Sequence, residues 1–139
     1  MPVTAPQKPR QNVFDIHNRK GYIRRMYSVV FHQRRNGAVP YEEYVRSVYH
    51  SGQKTEAARI RAFVERLGQE GSQRLVARRW AEEMNDVWQL RAGQHRIFYF
   101  WHTKAERYVI LSGFRKRSRR TPCSELARAE SLRAEHLGG

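Results

Sequence analysis

VWQLRAGQHRIFYFWHTKAERYVILSGFRKR, running from Val87 to Arg117, decides how this chain folds. It holds three strand-like runs in quick succession: Val87–Arg91, His95–Trp101 and Arg107–Gly113. Each is rich in β-branched and aromatic residues, the side chains that suit a pleated surface. Ala92-Gly93-Gln94 joins the first run to the second, and Thr103–Glu106 joins the second to the third. A parallel pair needs a crossover of a dozen or more residues, so links this short make the neighbours antiparallel. The stretch predicts a meander.

Working outward, the apolar period changes from two to about 3.6. Tyr41, Tyr44, Val45, Val48 and Tyr49 share one helical face, opened by Pro40 and stopped by Gly52. A second helix is expected from Lys54 to Gln69, with Ala57, Ile60, Val64 and Leu67 as its stripe and Gly71 just past its end. The two helices are close in sequence, which predicts an antiparallel hairpin. Arg25–Gln33 reads as a further strand, followed by an Asn36-Gly37 turn. Leu75–Met84 suits helix and strand alike, with Trp80 as a packing anchor and Asn85-Asp86 as a turn. A last helix starts with Thr121 as N-cap, Pro122 at the first helical position and Glu125 in the first turn, and runs towards His136. The expected fold is α+β: an antiparallel sheet of about four strands, an N-terminal helical hairpin on one face and a C-terminal helix, with the helices against one side. Residues 1–24 read as a flexible basic leader, and 25–137 as one domain.

Composition narrows the partners. Of 139 residues, 27 are Lys or Arg and 13 are Asp or Glu, a formal charge of +14. Such a chain repels itself, and the usual use is an anionic partner, above all nucleic acid. No run approaches the length of a membrane-spanning helix, and no export signal is read at the N-terminus. A cytoplasmic protein is expected. Cys123 is the single cysteine, so neither an internal disulfide nor a thiolate zinc cluster can form. The histidines lack metal-ligand spacing, and P-loop, G-x-S-x-G and H-E-x-x-H motifs are absent. Neither metal nor cofactor is expected.

Alternation sorts the strand residues by face. His95, Ile97, Tyr99 and Trp101 share one side of the middle strand; Arg96, Phe98 and Phe100 share the other. Gln89 and Arg91 lie together on the strand before it. An arginine among such neighbours must pair with an acid (Asp86, Glu82 and Glu83 are the candidates) or face an anion, since an unpaired buried charge is costly. The loop beyond the meander adds Arg115, Lys116, Arg117, Arg119 and Arg120, with no acid between Arg107 and Ser124. Cations for phosphate, with Phe98 and Phe100 as rings for splayed bases, make a pattern that suits RNA.

The runs Val87-Trp-Gln-Leu-Arg91, Arg96-Ile-Phe-Tyr-Phe100 and Ile110-Leu-Ser-Gly-Phe-Arg-Lys116 carry a resemblance, as do Arg119-Arg-Thr-Pro122 and Glu125-Leu-Ala-Arg-Ala129. Their order and spacing resemble the RelE/ParE toxin superfamily, most closely its phage-derived HigB-like branch, over roughly residues 25–135. The resemblance implies the toxin of a type II toxin–antitoxin system, a helix-turn-helix antitoxin as partner, and metal-independent cleavage of mRNA on the ribosome. By position it makes Arg91, Arg96, Arg115 and Lys116 the catalytic cations, and it leaves Arg117, Arg119 and Arg120 to RNA backbone. Arg115 stands where the common pattern has an apolar residue, and the leader is longer than usual. For the proton transfers the candidates are His95, Tyr99 and His102, with Glu106 at the same strand end as His102. Two rivals stay open: a ParE-like poison of DNA gyrase, and a basic RNA- or DNA-binding module without catalysis.

Overall fold

The structure, a computed structural model, describes residues 13–14 and 24–138. The expected flexible leader, residues 1–24, thus falls largely outside the described residues. Described there are β1 (Val13–Phe14) and, at the boundary with the domain, β2 (Arg24–Arg25), two short strands paired antiparallel.

From there the order is β3 (Ser28–Phe31), α1 (Pro40–His50), α2 (Lys54–Glu70), α3 (Ser72–Ala77), β4 (Ala81–Met84), β5 (Val87–Ala92), β6 (His95–His102), β7 (Arg107–Arg115) and α4 (Cys123–Gly138). The fold is α+β, with four helices and a five-stranded sheet in the order β3-β7-β6-β5-β4. The meander is present, and β4 extends it antiparallel through the Asn85-Asp86 turn. Two expectations need correction. The sheet is mixed rather than antiparallel, because β3 runs parallel to β7. It has five strands rather than about four, because the ambiguous stretch divides into α3 and β4.

The helices also divide between the faces instead of sharing one. The α1–α2 hairpin places Tyr41, Val45, Val48, Ala57, Ile60, Val64 and Leu67 against Leu90, Ala92, Ile97, Tyr99 and Ile110. On the other face α4 lays Leu126, Ala129 and Leu132 on Val87, Phe98, Phe100, Val109, Leu111 and Phe114. The sheet is therefore apolar on both sides, which explains the near-continuous apolar run of β6. Proline at the first turn and Glu42 and Glu43 beside it favour the start of α1. Gly71, at φ 87°, ends α2 in a conformation that favours glycine. Thr121 does not cap α4; its hydroxyl donates to Oε1 of Gln89 at 3.0 Å.

One irregularity sets the geometry of the site. Between Phe98 and Tyr99 the pairing with β7 slips, so that Leu111 has no opposite partner. Plain alternation from Val109 would put Arg115 on the α4 face. The bulge turns it over, and Arg115 pairs with His95 on the hairpin side.

Candidate functional site

The predicted cations meet where the β5–β6 turn, Gly93-Gln94, lies beside the end of β7. Arg96, Arg115, Lys116, Arg117 and Arg119 line one open groove with that turn. Arg96 comes from the α4 face and Arg115 from the hairpin face; at the strand ends they reach the same groove. Arg117, Arg119 and Arg120 are exposed, and Lys116 is half-buried.

Arg96 is the informative cation. It is 9% exposed, and its Nη1 donates to the backbone oxygens of Gly93 at 2.6 Å and His95 at 3.1 Å. Its Nε is buried with no partner, and among the described residues no carboxylate bridges to it. Of the carboxylates expected to pair with it, Glu82 lies instead 3.9 Å from Arg91 in a half-exposed pair. Burial draws the Arg96 guanidinium below its ordinary value; Arg91 pulls the same way and Glu82 opposes. A charge held dry, with donor capacity to spare beside an open groove, suits an anion.

Arg115 is fixed on the hairpin side. Its Nη1 donates to Oε1 of Gln94, and its Nη2 donates to Oε1 of Gln53 at 2.7 Å and Oε1 of Glu56 at 3.1 Å. Glu56 also accepts from Nε2 of His95 at 2.5 Å. The bond from His95 holds the Glu56 carboxyl below the usual range, and Arg115 adds to the effect. Nδ1 of His95 lies 2.6 Å from the hydroxyl of Tyr44. His95 itself is 1% exposed.

The remaining candidates separate. Tyr99 is fully buried, with its hydroxyl on Ser72 at 2.7 Å, and burial drives its phenol far up; a proton carrier cannot work from there. His102 ends β6 seven residues beyond His95, roughly 23 Å away at a strand's rise. Glu106 follows in the same distant turn. Phe98 and Phe100 are 0% and 3% exposed beneath α4, so they are core rather than platforms for bases. Arg91 lies on the α4 face beside Arg96, half-exposed, but outside the groove lining.

Sequence reasoning missed Gln53 and Glu56 and gave Tyr44 no role beyond the apolar face of its helix. Glu56 lies 39 positions from His95 and Tyr44 lies 51 from it. No local pattern announces contacts at that separation. The weak trace was a carboxylate near the start of a helix whose turn packs against a basic strand end.

Residues 49–134 match the family model of phage-derived Gp49-like proteins (DUF891), more than half of the chain. The match spans His95, Arg96, Arg115 and the basic loop, and it begins five residues after Tyr44. No curated protein matches the chain.

Proposed function

Because the chain belongs to the phage-derived Gp49-like family, a RelE/toxin-like family, we propose that it is the toxin of a type II toxin–antitoxin pair. Its activity in this reading is metal-independent cleavage of mRNA on the ribosome, as in the HigB-like branch. The single observation that supports it is Arg96, dry, lacking a carboxylate partner among the described residues, and beside an open cationic groove.

The chemistry follows from that groove. A ribose 2′-oxygen attacks the adjacent phosphorus as its proton leaves. The bond from phosphorus to the 5′-oxygen breaks, giving a 2′,3′-cyclic phosphate and a 5′-hydroxyl. The five-coordinate phosphorus carries extra negative charge in between. Arg96 and Arg115 stabilise that charge, since guanidinium groups grip phosphate oxygens bidentately. Lys116, Arg117, Arg119 and Arg120 hold the flanking backbone and ribosomal RNA. Arg91, half-exposed beside Arg96, raises the local potential. The partner that masks this surface is a helix-turn-helix antitoxin presenting carboxylates to the groove.

The test is induced expression in a bacterial host with mapping of mRNA 5′ ends, for wild type, Arg96→Ala and Arg96→Lys. New 5′-hydroxyl ends are expected with wild type. Arg96→Ala should cut 10²–10³-fold more slowly, the order expected for loss of one preorganised donor, and Arg96→Lys should restore part of the rate. Intact mRNA together with stalled gyrase would favour the DNA gyrase rival. Cutting by Arg96→Ala at the wild-type rate would remove Arg96 from the mechanism.

A further inference from the structure

We propose that Tyr44, His95 and Glu56 form a proton relay, in which Tyr44 takes the proton from the attacking 2′-hydroxyl and passes its own to His95. The inference rests on the ribonuclease reading above and supplies the base that reading lacks.

The geometry carries it. Glu56 is ionised, so it can only accept, and Nε2 of His95 must carry the hydrogen of the 2.5 Å bond. In the neutral imidazole Nδ1 is then an acceptor, and the Tyr44 hydroxyl donates to it at 2.6 Å. The order Tyr44, His95, Glu56 repeats the logic of a hydroxyl, a base and the carboxylate that orients it. His95 is buried and both its ring nitrogens are engaged, so it cannot meet a substrate itself. Tyr44 can. It is half-buried and lines an open groove with Ser47, Ser51, Gln53, Arg115 and Arg117. Arg115 lines both this groove and the one beside Arg96, which brings the phosphate it holds towards the phenol.

The relay also answers an energetic objection. Burial pushes the Tyr44 phenol up to about 12, with Arg115 opposing and Glu56 assisting. A free phenolate would make up on the order of 10⁻⁵ of the protein at neutral pH, too little to serve as a stored base. Handing the phenol proton to His95 as the 2′-proton arrives avoids that species. The atoms balance: the 2′-oxygen to phosphorus bond forms, the 2′-proton moves to the Tyr44 oxygen, and the Tyr44 proton moves to Nδ1. The imidazolium so formed is stabilised by Glu56. The 5′-oxygen leaves and takes a proton from water in the open groove, and His95 returns its extra proton to solvent through Tyr44.

The experiment uses the purified full chain, with mRNA on programmed ribosomes and with a short naked RNA. Tyr44→Phe keeps the ring and removes only the hydroxyl. Its cleavage rate at saturating RNA should fall about 10²–10³-fold, within the usual range for a lost general base, with RNA affinity within about twofold of wild type. Its rate should climb log-linearly with pH as hydroxide replaces the base, where the wild-type rate levels off. Glu56→Gln should give a smaller loss and keep the wild-type shape. Thermal melts check that each variant is folded. A wild-type rate and pH profile in Tyr44→Phe overturns the relay while leaving the ribonuclease intact. Failure of the wild-type chain to cut either RNA overturns the ribonuclease reading, and the relay with it.

Discussion

An ideal Cβ on Gly113 would lie 2.7 Å from Cδ2 of Tyr44 and 2.7 Å from Cδ1 of Ile97. The missing side chain is what lets the Tyr44 ring lie on the strand and reach His95. Gly113→Ala must therefore push Tyr44 off the sheet or distort the strand, and overpacking of this kind costs about 1–3 kcal/mol. Urea denaturation should show that loss, and cleavage should fall with it; unchanged stability would mean that the ring has room to move. At this scale legibility was uneven. Arg96 stands out in the sequence because a charge in an apolar strand is informative in one dimension. The side of the sheet taken by Arg115 does not, because the bulge at Leu111 inverts the alternation and leaves no mark in composition. Phe98 and Phe100 were misjudged because alternation says which residues share a face, not what covers it. Here α4 does.

Short links made the pairing inside the meander legible, and the long connection to β3 hid its direction. The β5–β6–β7 meander and the two long helices follow from local pattern. The direction of β3 does not, since no tight turn ties it to β7 and more than 70 residues intervene. The end of α3 is also hard to see. Arg79 takes φ 64°, and Trp80 N–H donates to the Leu75 carbonyl at 2.8 Å, a stop that normally announces itself with glycine. The placement of α4 gives a pH prediction. Its His136 meets His32 at 2.9 Å between Nδ1 atoms and stacks edge-on to His102 and Phe100. Glu135 faces His32 at 3.4 Å and Arg34 at 3.1 Å. No group of three or more His, Cys, Asp or Glu among the described residues is placed to hold a metal ion. Burial lowers His136, with His32, His102 and Arg107 adding to it; burial lowers His102, with Arg107 and Lys104 adding. In the folded chain His136 and His102 thus resist protonation more than in the unfolded one, where the ordinary value is 6.5. Their contribution is full above that pH and is lost as pH falls through the lower folded values. Glu135 is also lowered, chiefly by its bond from Arg34, so its loss follows in more acid solution. Melting temperature should fall from about pH 7 to about pH 5, and His136→Gln should flatten the fall. An equal slope in the variant would acquit the cluster.

Across the whole molecule the charge is lopsided in use as well as in number. The 27 cations outnumber the 13 acids, yet Arg34, Arg66, Arg78 and Arg115 are paired with carboxylates. Arg117, Arg119 and Arg120 have no carboxylate partner among the described residues and are exposed. No helix among the described residues is long and apolar enough to cross a membrane. The division proposed for the loop is then a division of labour that salt can resolve. Each phosphate neutralised on a single strand releases counterions and steepens the dependence of log affinity on log salt by roughly 0.7. If Arg119 and Arg120 each hold one phosphate, Arg119→Ala with Arg120→Ala should weaken RNA binding and lower that slope by about 1.4. Cleavage at saturating RNA should stay near the wild-type rate, because neither side chain meets the reacting phosphorus. Arg115→Gln should do the reverse, cutting the saturated rate while moving the slope by less than one phosphate's worth, since Glu56 and Gln53 already hold that guanidinium in place. Filter binding over a range of salt, beside single-turnover cleavage of the same RNA, reads both quantities. A loop double variant that kept its slope and lost its rate would exchange the two roles.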